Sequence, residues 1–302
     1  HQEDVIKMAH GDQVAAQNDG TSVRTGTVDK QFLLTGTPGS PDNFKFGLFG
    51  QHEGFYSPRH RHNFCQFRVA LSGVCDYGPH GKMTPGTVGF FTEGAYYGPQ
   101  GPDVGDSYTA TVQFGGPSGQ GYVTMAEKAM AKAALDKVGV FENGVFRRNP
   151  DSPGRRNQDG FEALWEQAAG REMVYPPAAY EFPVLMHPEN YQWLPLAGAE
   201  GVEEKALGTF LDCQIPCALY RLAPGAKFTA KGRGIYLVLN GGGSLEGENY
   251  RQFTALYLET DETAQFRAIE QSEVLLLGLP NLADIAVYAP SKAQEAKAVE
   301  YS

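Results

Sequence analysis

Residues 54–73 read GFYSPRHRHNFCQFRVALSG, and the reading of this stretch decides the fold. If residues 60–71 are extended, alternate side chains share a face. His60, His62, Phe64, Gln66 and Arg68 then point one way, and Cys65, Phe67, Val69 and Leu71 the other. One face is apolar. The other carries two imidazoles, a carboxamide and a guanidinium. Polar groups converging inside a barrel need partners, a metal or a ligand. Two imidazoles at this spacing can both reach one ion at about 2.1 Å.

Working outward, further strands are expected over 44–49, 87–91 and 107–114, separated by turn clusters at 38–40, 78–81, 98–102 and 115–117. Glycine makes up 37 of 302 residues without any period, which fits many tight turns and an all-β sandwich or barrel. A helix is expected after Thr124, which forms a T-x-x-E capping box with Glu127. Its apolar stripe is Met125, Ala129, Met130 and Ala133, with Gly139 as a stop. A second helix is expected over 159–169, capped by Asp159 with Glu162 and presenting Phe161, Leu164, Trp165 and Ala168 on one face. Residues 147–158 read as an exposed basic connector, and 171–200 as an extended linker.

Beyond residue 205 the β character returns, with strands expected at 209–211, 218–222, 235–239, 250–258, 264–267 and 274–277. Residues from Ser291 onward read as a terminal helix. The expected plan is an N-terminal segment at 1–30, a site-bearing β-domain at 31–123, a helical and extended connector at 124–204, and a second β-domain at 205–302. Two turn-rich halves of similar size suggest an internal duplication.

Composition narrows the function. There are 25 basic and 35 acidic side chains, a net charge of −10, which argues against a nucleic-acid surface. With 41% hydrophobic residues the chain can bury a core, and its apolar runs fall far short of the about 20 residues of a membrane span. Cys65, Cys75, Cys213 and Cys217 are too dispersed for a disulfide scaffold. Cys213 and Cys217 would lie about 13 Å apart on an extended segment, beyond disulfide reach. No charged-then-apolar segment opens the chain, so cytoplasm is the default expectation.

Gly54, five residues, His60-x-His62, three residues, Gln66, six residues, Gly73 matches the spacing of the first cupin motif. That motif usually has Glu where Gln66 stands. A second cupin motif is traceable from Gly86 through Thr92 (usually Pro) and Glu93-Gly94 to Tyr97 (usually His) and Gly101 (usually Asn). The resemblance is close over roughly residues 40–115 and looser over the whole chain as a bicupin. It implies two cupin jelly-roll barrels joined by a helical connector. In the second half, Lys231 and Arg233 stand between the matching landmarks, and no histidine follows His187, so that barrel resembles a degenerate copy.

The resemblance implies a divalent metal, with Fe(II) expected and Zn, Mn, Ni or Co as alternatives. His60, His62 and Gln66 would hold it. Tyr97 and Glu93 are the candidate acid, base or additional ligand. Arg68 could pair a substrate carboxylate, and His52, Tyr56 and Phe64 could line the same pocket. The leading expectation is a metal-dependent enzyme of oxygenase type on a small aromatic or carboxylic substrate. The alternatives are a lyase or isomerase using Tyr97, and a non-catalytic binding or storage protein with a vestigial site. A homodimer through sheet edges fits the fold; no nucleic-acid or membrane partner is expected.

Overall fold

The computed structural model describes residues 13–15 and 19–285. The helix expected from Ser291 lies outside them. The described chain divides into a first unit ending at Leu185 and a second running from Met186 to Ile285. The helices expected in the connector fall within the first unit. The second unit begins before 205 because Leu194–Pro195 pairs with Glu203 and Glu204 at the edge of its main sheet.

In the first unit the main sheet runs Gln13–Ala15, Thr27–Thr35, Phe44–Gln51, Ser107–Phe114, Cys65–Ser72, Val88–Phe91. Every pairing among these strands is antiparallel. The strand bearing the motif starts at Cys65 rather than at residue 60. Residues before it are taken up otherwise: His60 exchanges both backbone hydrogen bonds with Tyr97, and the His62 carbonyl accepts from the Gly94 amide.

Register then assigns the two faces. Lys45, Gln113 and Gln66 lie in one row, and Thr111 and Arg68 in the next. These side chains share a face with Thr109, and all but the half-buried Gln113 are buried. Phe44, Phe46, Phe67, Val69, Phe90, Val112 and Phe114 make the opposite, apolar face, also buried. The polar face meets a smaller sheet, Lys82–Met83, Cys75–Asp76 and Gly101–Pro102, continued by bridges from Ser57 to Gln100 and from His60 to Tyr97. The lumen of this barrel is therefore polar.

Helices Met125–Leu135 and Gly160–Ala169, separated in the chain by a three-stranded sheet, share a core of Ala131, Leu135, Ala163 and Leu164 with Phe146 of that sheet. The capping box is complete: Thr124 Oγ1 accepts from the Glu127 amide, and the Glu127 carboxylate accepts from the Thr124 amide at 2.7 Å. Asp159 accepts from the amides of Phe161 and Glu162. The expected apolar stripe of the first helix is overturned, since Met125 and Met130 are exposed. The buried positions are Ala131 and Leu135, and Lys128 lies one turn before Ala131 on the same side. The stripe was broken by an inward lysine. Residues expected as the exposed connector form a turn between Val145–Arg148 and Asn157–Asp159, which pair as strands. All four cysteines are buried and none is in a disulfide.

The second unit packs a six-stranded sheet with a four-stranded one. Its interior is filled by Val202, Leu222, Phe228, Tyr236, Val238, Tyr250, Phe266 and Val274. A core of this kind leaves no polar centre. The expected strand over 250–258 is interrupted at Phe253, whose φ of 65° carries the turn before Ala255–Leu258. Among the described residues no helix is long and apolar enough to cross a membrane.

Candidate functional site in the first barrel

The floor of the lumen is one hydrogen-bonded network around Arg68. Its Nη1 donates to Tyr77 Oη and Gln100 Oε1, both at 2.8 Å. Nη2 donates to Tyr97 Oη and Gln66 Oε1, both at 3.1 Å, and Nε donates to Gln66 Oε1 at 3.2 Å. A guanidinium has five N–H bonds, and this set engages all five. The ring of Phe91 packs beneath it, 4.9 Å away. Arg68 is thus not free to grip a substrate carboxylate directly, contrary to the expectation. Tyr77 and Tyr97 hold its charged form firmly against the opposing effect of burial.

Gln66 is equally committed. Its Nε2 donates to Tyr97 Oη at 2.7 Å, and its Oε1 accepts from Gln113 Nε2 at 3.3 Å as well as from Arg68. Tyr122 completes the chain by donating to Gln113 Oε1 at 3.1 Å.

Above this floor stand the imidazoles. The rings of His60 and His62 are 4.9 Å apart, and Tyr97 lies 4.5 Å from His60. Phe64 stacks on His62 at 4.4 Å, and Phe161, from the second helix, meets His62 edge-on at 5.6 Å. Burial, then the charge of Arg24, pulls His60 down to about 3, although its Nδ1–H donates to the Pro58 carbonyl at 2.6 Å. Burial and neighbouring His60 and Arg24 hold His62 well below the ordinary histidine range. Both imidazoles are therefore neutral. His60 Nε2 and His62 Nδ1 are buried without a hydrogen-bond partner.

Around them is a set of cations that sequence reasoning missed. Arg24 donates through Nε to Ser57 Oγ at 2.9 Å. Lys128 places its ammonium over Phe161, 4.7 Å from the ring centre, and Lys45 sits over Phe32 and Phe49. Lys30, Lys45 and Lys128 are each held below the ordinary lysine range, first by burial and then by the charges of their neighbours. For Lys128 the result is about 7. None of Arg24, Lys30, Lys45, Arg68 or Lys128 forms an ion pair with a carboxylate of the described residues. Arg24, His60, His62 and Lys128 retain accessible surface, yet burial is the leading influence on each.

Other expected site residues lie elsewhere. Both oxygens of Glu93 are engaged by Ser118, from its amide at 2.9 Å and its hydroxyl at 2.7 Å, so this carboxylate pins the loop at 115–121. Burial raises its pKa and the Ser118 bonds oppose the rise. His52 is clamped between Asp29 at 2.9 Å and Asp106 at 3.0 Å, which keep it above its ordinary pKa despite burial. Tyr56 is exposed. Of the nine expected residues, His60, His62, Phe64, Gln66, Arg68 and Tyr97 are brought together.

The residues do not fit the divalent ion implied by the motif. Two imidazole lone pairs are open, but at the other two ligand positions the oxygens of Gln66 and Tyr97 are engaged by N–H donors, chiefly those of Arg68. Among the described residues no three His, Cys, Asp or Glu side chains converge as a metal site.

No protein-family model matches the chain, and no curated protein does. Solved structures do resemble it. One is from Nostoc punctiforme and is provisionally described as a dioxygenase; it is 10% identical, with 95% of this chain and 86% of that chain covered and a TM-score of 0.59. Another, from Pseudomonas aeruginosa and provisionally described as glyoxylate-induced, is 11% identical, with 89% and 93% covered and a TM-score of 0.50. Likeness at this identity is one of fold, and the fold is the two-barrel cupin arrangement implied by the motif spacing.

Proposed function

We propose that the first barrel takes a small organic acid in its anionic form and carries out proton-transfer chemistry on it. One observation supports this above the others. Five cations of the first barrel form no ion pair with a carboxylate of the described residues, in a chain whose net charge is −10; Asp159, Asp19 and Glu127 act on Arg24, Lys30 and Lys128 only from beyond ion-pair distance. Buried charges are ordinarily paired, and a bound anion supplies the missing partner.

The side chains gathered around His60 and His62 suit such a ligand. Arg24 and Lys128 face its charge, Phe64 and Phe161 supply apolar wall, and the neutral imidazoles can accept hydrogen bonds from hydroxyl groups on it. A bound anion favours the ammonium form of Lys128, so the base in this scheme is one of the neutral imidazoles of His60 and His62, each with an unpartnered ring nitrogen. Tyr97, whose oxygen already accepts from Gln66 and Arg68, is the acid in this scheme. The matching reaction classes are lyase and isomerase chemistry on a hydroxy or aromatic acid.

The test is a thermal-shift screen that pairs acids with their neutral amides: benzoate with benzamide, salicylate with salicylamide, malonate with malonamide. A ligand at 100 times its Kd stabilises by about 2.7 kcal/mol. The reading expects at least one acid to raise the melting temperature while its amide does not. No shift with any acid, or equal shifts with acid and amide, contradicts it.

A further inference from the structure

The same network supports an inference that goes beyond the proposed function and does not depend on it. Departures from the cupin motif are not scattered. Gln66 stands where a carboxylate usually stands, Tyr97 where an imidazole usually stands, and both contact one guanidinium. Lone pairs that bind an ion are the same lone pairs that accept hydrogen bonds, so one oxygen cannot fully serve both.

The residue types fit this arrangement chemically. A carboxylate at position 66 would neutralise Arg68 internally and could not donate to Tyr97. A carboxamide accepts from the guanidinium with Oε1 and donates to the phenol with Nε2. The acceptors around Arg68, namely Gln66, Tyr77, Tyr97 and Gln100, include no carboxylate. Phe91, Tyr77 and Tyr97 present their rings to it within 5.5 Å, an arrangement favourable to a cation. Arg24 and Lys128 also act electrostatically on His62, adding positive charge where a divalent ion would bind.

We infer that the guanidinium of Arg68 takes the place of the divalent ion, making the first barrel a metal-free site built around a permanent organic cation. Its charge is single, covalently fixed and indifferent to chelators.

The experiment is metal loading of the full chain, purified without a metal-affinity tag. Protein is stripped with dipicolinate, incubated with Zn(II) or Mn(II), or anaerobically with Fe(II), desalted, and analysed by plasma mass spectrometry. The wild type is expected to retain no ion in stoichiometric amount. The variant Arg68→Gln/Gln66→Glu/Tyr97→His, which removes the cation and restores the motif ligands, is expected to retain about one ion per chain. Stoichiometric metal in the wild type that disappears in His60→Ala/His62→Ala overturns the inference. So does a folded triple variant, by circular dichroism, that retains none. If the triple variant does not fold, Arg68→Glu replaces the cation by a carboxylate in one step. Gain of Co(II) d–d absorption by that variant supports the inference, and its failure to bind Co(II) while folded overturns it. None of these outcomes depends on whether organic acids bind.

Discussion

Lys128 allows a worked prediction. Replacing it by Met keeps the length and apolar stem of the side chain and removes the charge. In the folded protein Lys128 titrates at about 7, against 10.5 for an ordinary lysine. Burial is the first cause, followed by the charges of Arg24 and Lys30. Between these two values the unfolded chain binds more protons than the folded one, so stability rises with pH. The penalty is fully present below pH 7 and is relieved as pH climbs toward 10.5. Integrating this linkage from pH 7 to pH 9 gives about 2 kcal/mol. Because the side chain keeps some accessible surface, about 1–2 kcal/mol is the expected observable.

The assay is urea unfolding at pH 7, 8 and 9, followed by tryptophan fluorescence. Trp165 is buried in the second helix and reports on the first unit. A Trp193→Phe background removes the other tryptophan, which belongs to the second unit. Lys30 and Lys45 contribute with the same sign in both proteins, and Lys45 is lowered less once the Lys128 charge is gone, so the difference between the proteins reports Lys128 together with its coupling to Lys45. Wild type should gain on Lys128→Met by about 1–2 kcal/mol from pH 7 to pH 9. Parallel stability curves would refute the placement of Lys128 among unpartnered cations.

Two further outcomes follow from the contacts of individual residues. Glu93→Gln should lower the melting temperature of the first unit by weakening the hold on Ser118, while leaving the affinity for an organic acid unchanged in calorimetry. A lost affinity with the fold intact would return Glu93 to the site. Thr124→Ala removes one half of the capping box and should cost about 1 kcal/mol in urea unfolding; no measurable loss would show that tertiary packing alone holds the helix start.

Much of the fold was legible because cupin spacing and strand alternation are local signals. Parity alone placed Gln66 and Arg68 on the face opposite Phe67 and Val69, and register with Lys45, Thr111 and Gln113 extends that face across the sheet. Caps at Thr124 and Asp159 were legible for the same reason. The start of the motif strand was not. What removes residues 60–62 from the sheet is pairing with Tyr97 and Gly94, more than thirty positions away.

The candidate site was legible in part. The motif brought His60, His62, Gln66 and Tyr97 together on paper, and the fold does so in space. Nothing in the spacing says that Arg68, two residues along the same face, would engage the oxygens of both Gln66 and Tyr97. Arg24 carries no local signal at all. Lys128 left one, since a lysine on the inner side of a helix disrupts the apolar period, and the stripe was instead drawn through the exposed Met125 and Met130. Lys45 left another, since it alternates with Phe44 and Phe46 in a buried strand and takes the face opposite theirs. Glu93 and His52 looked functional by type and proximity, but each is held by partners of its own.

The central claim is that the cations of the first barrel hold an organic anion. Its most direct test is isothermal titration calorimetry of the best acid from the screen against wild type and Arg24→Met/Lys128→Met at pH 7. The account predicts one site per chain in the wild type and a loss of affinity of at least about tenfold in the variant, equivalent to about 1.4 kcal/mol. Equal affinity in the two proteins, with both folded, would contradict it.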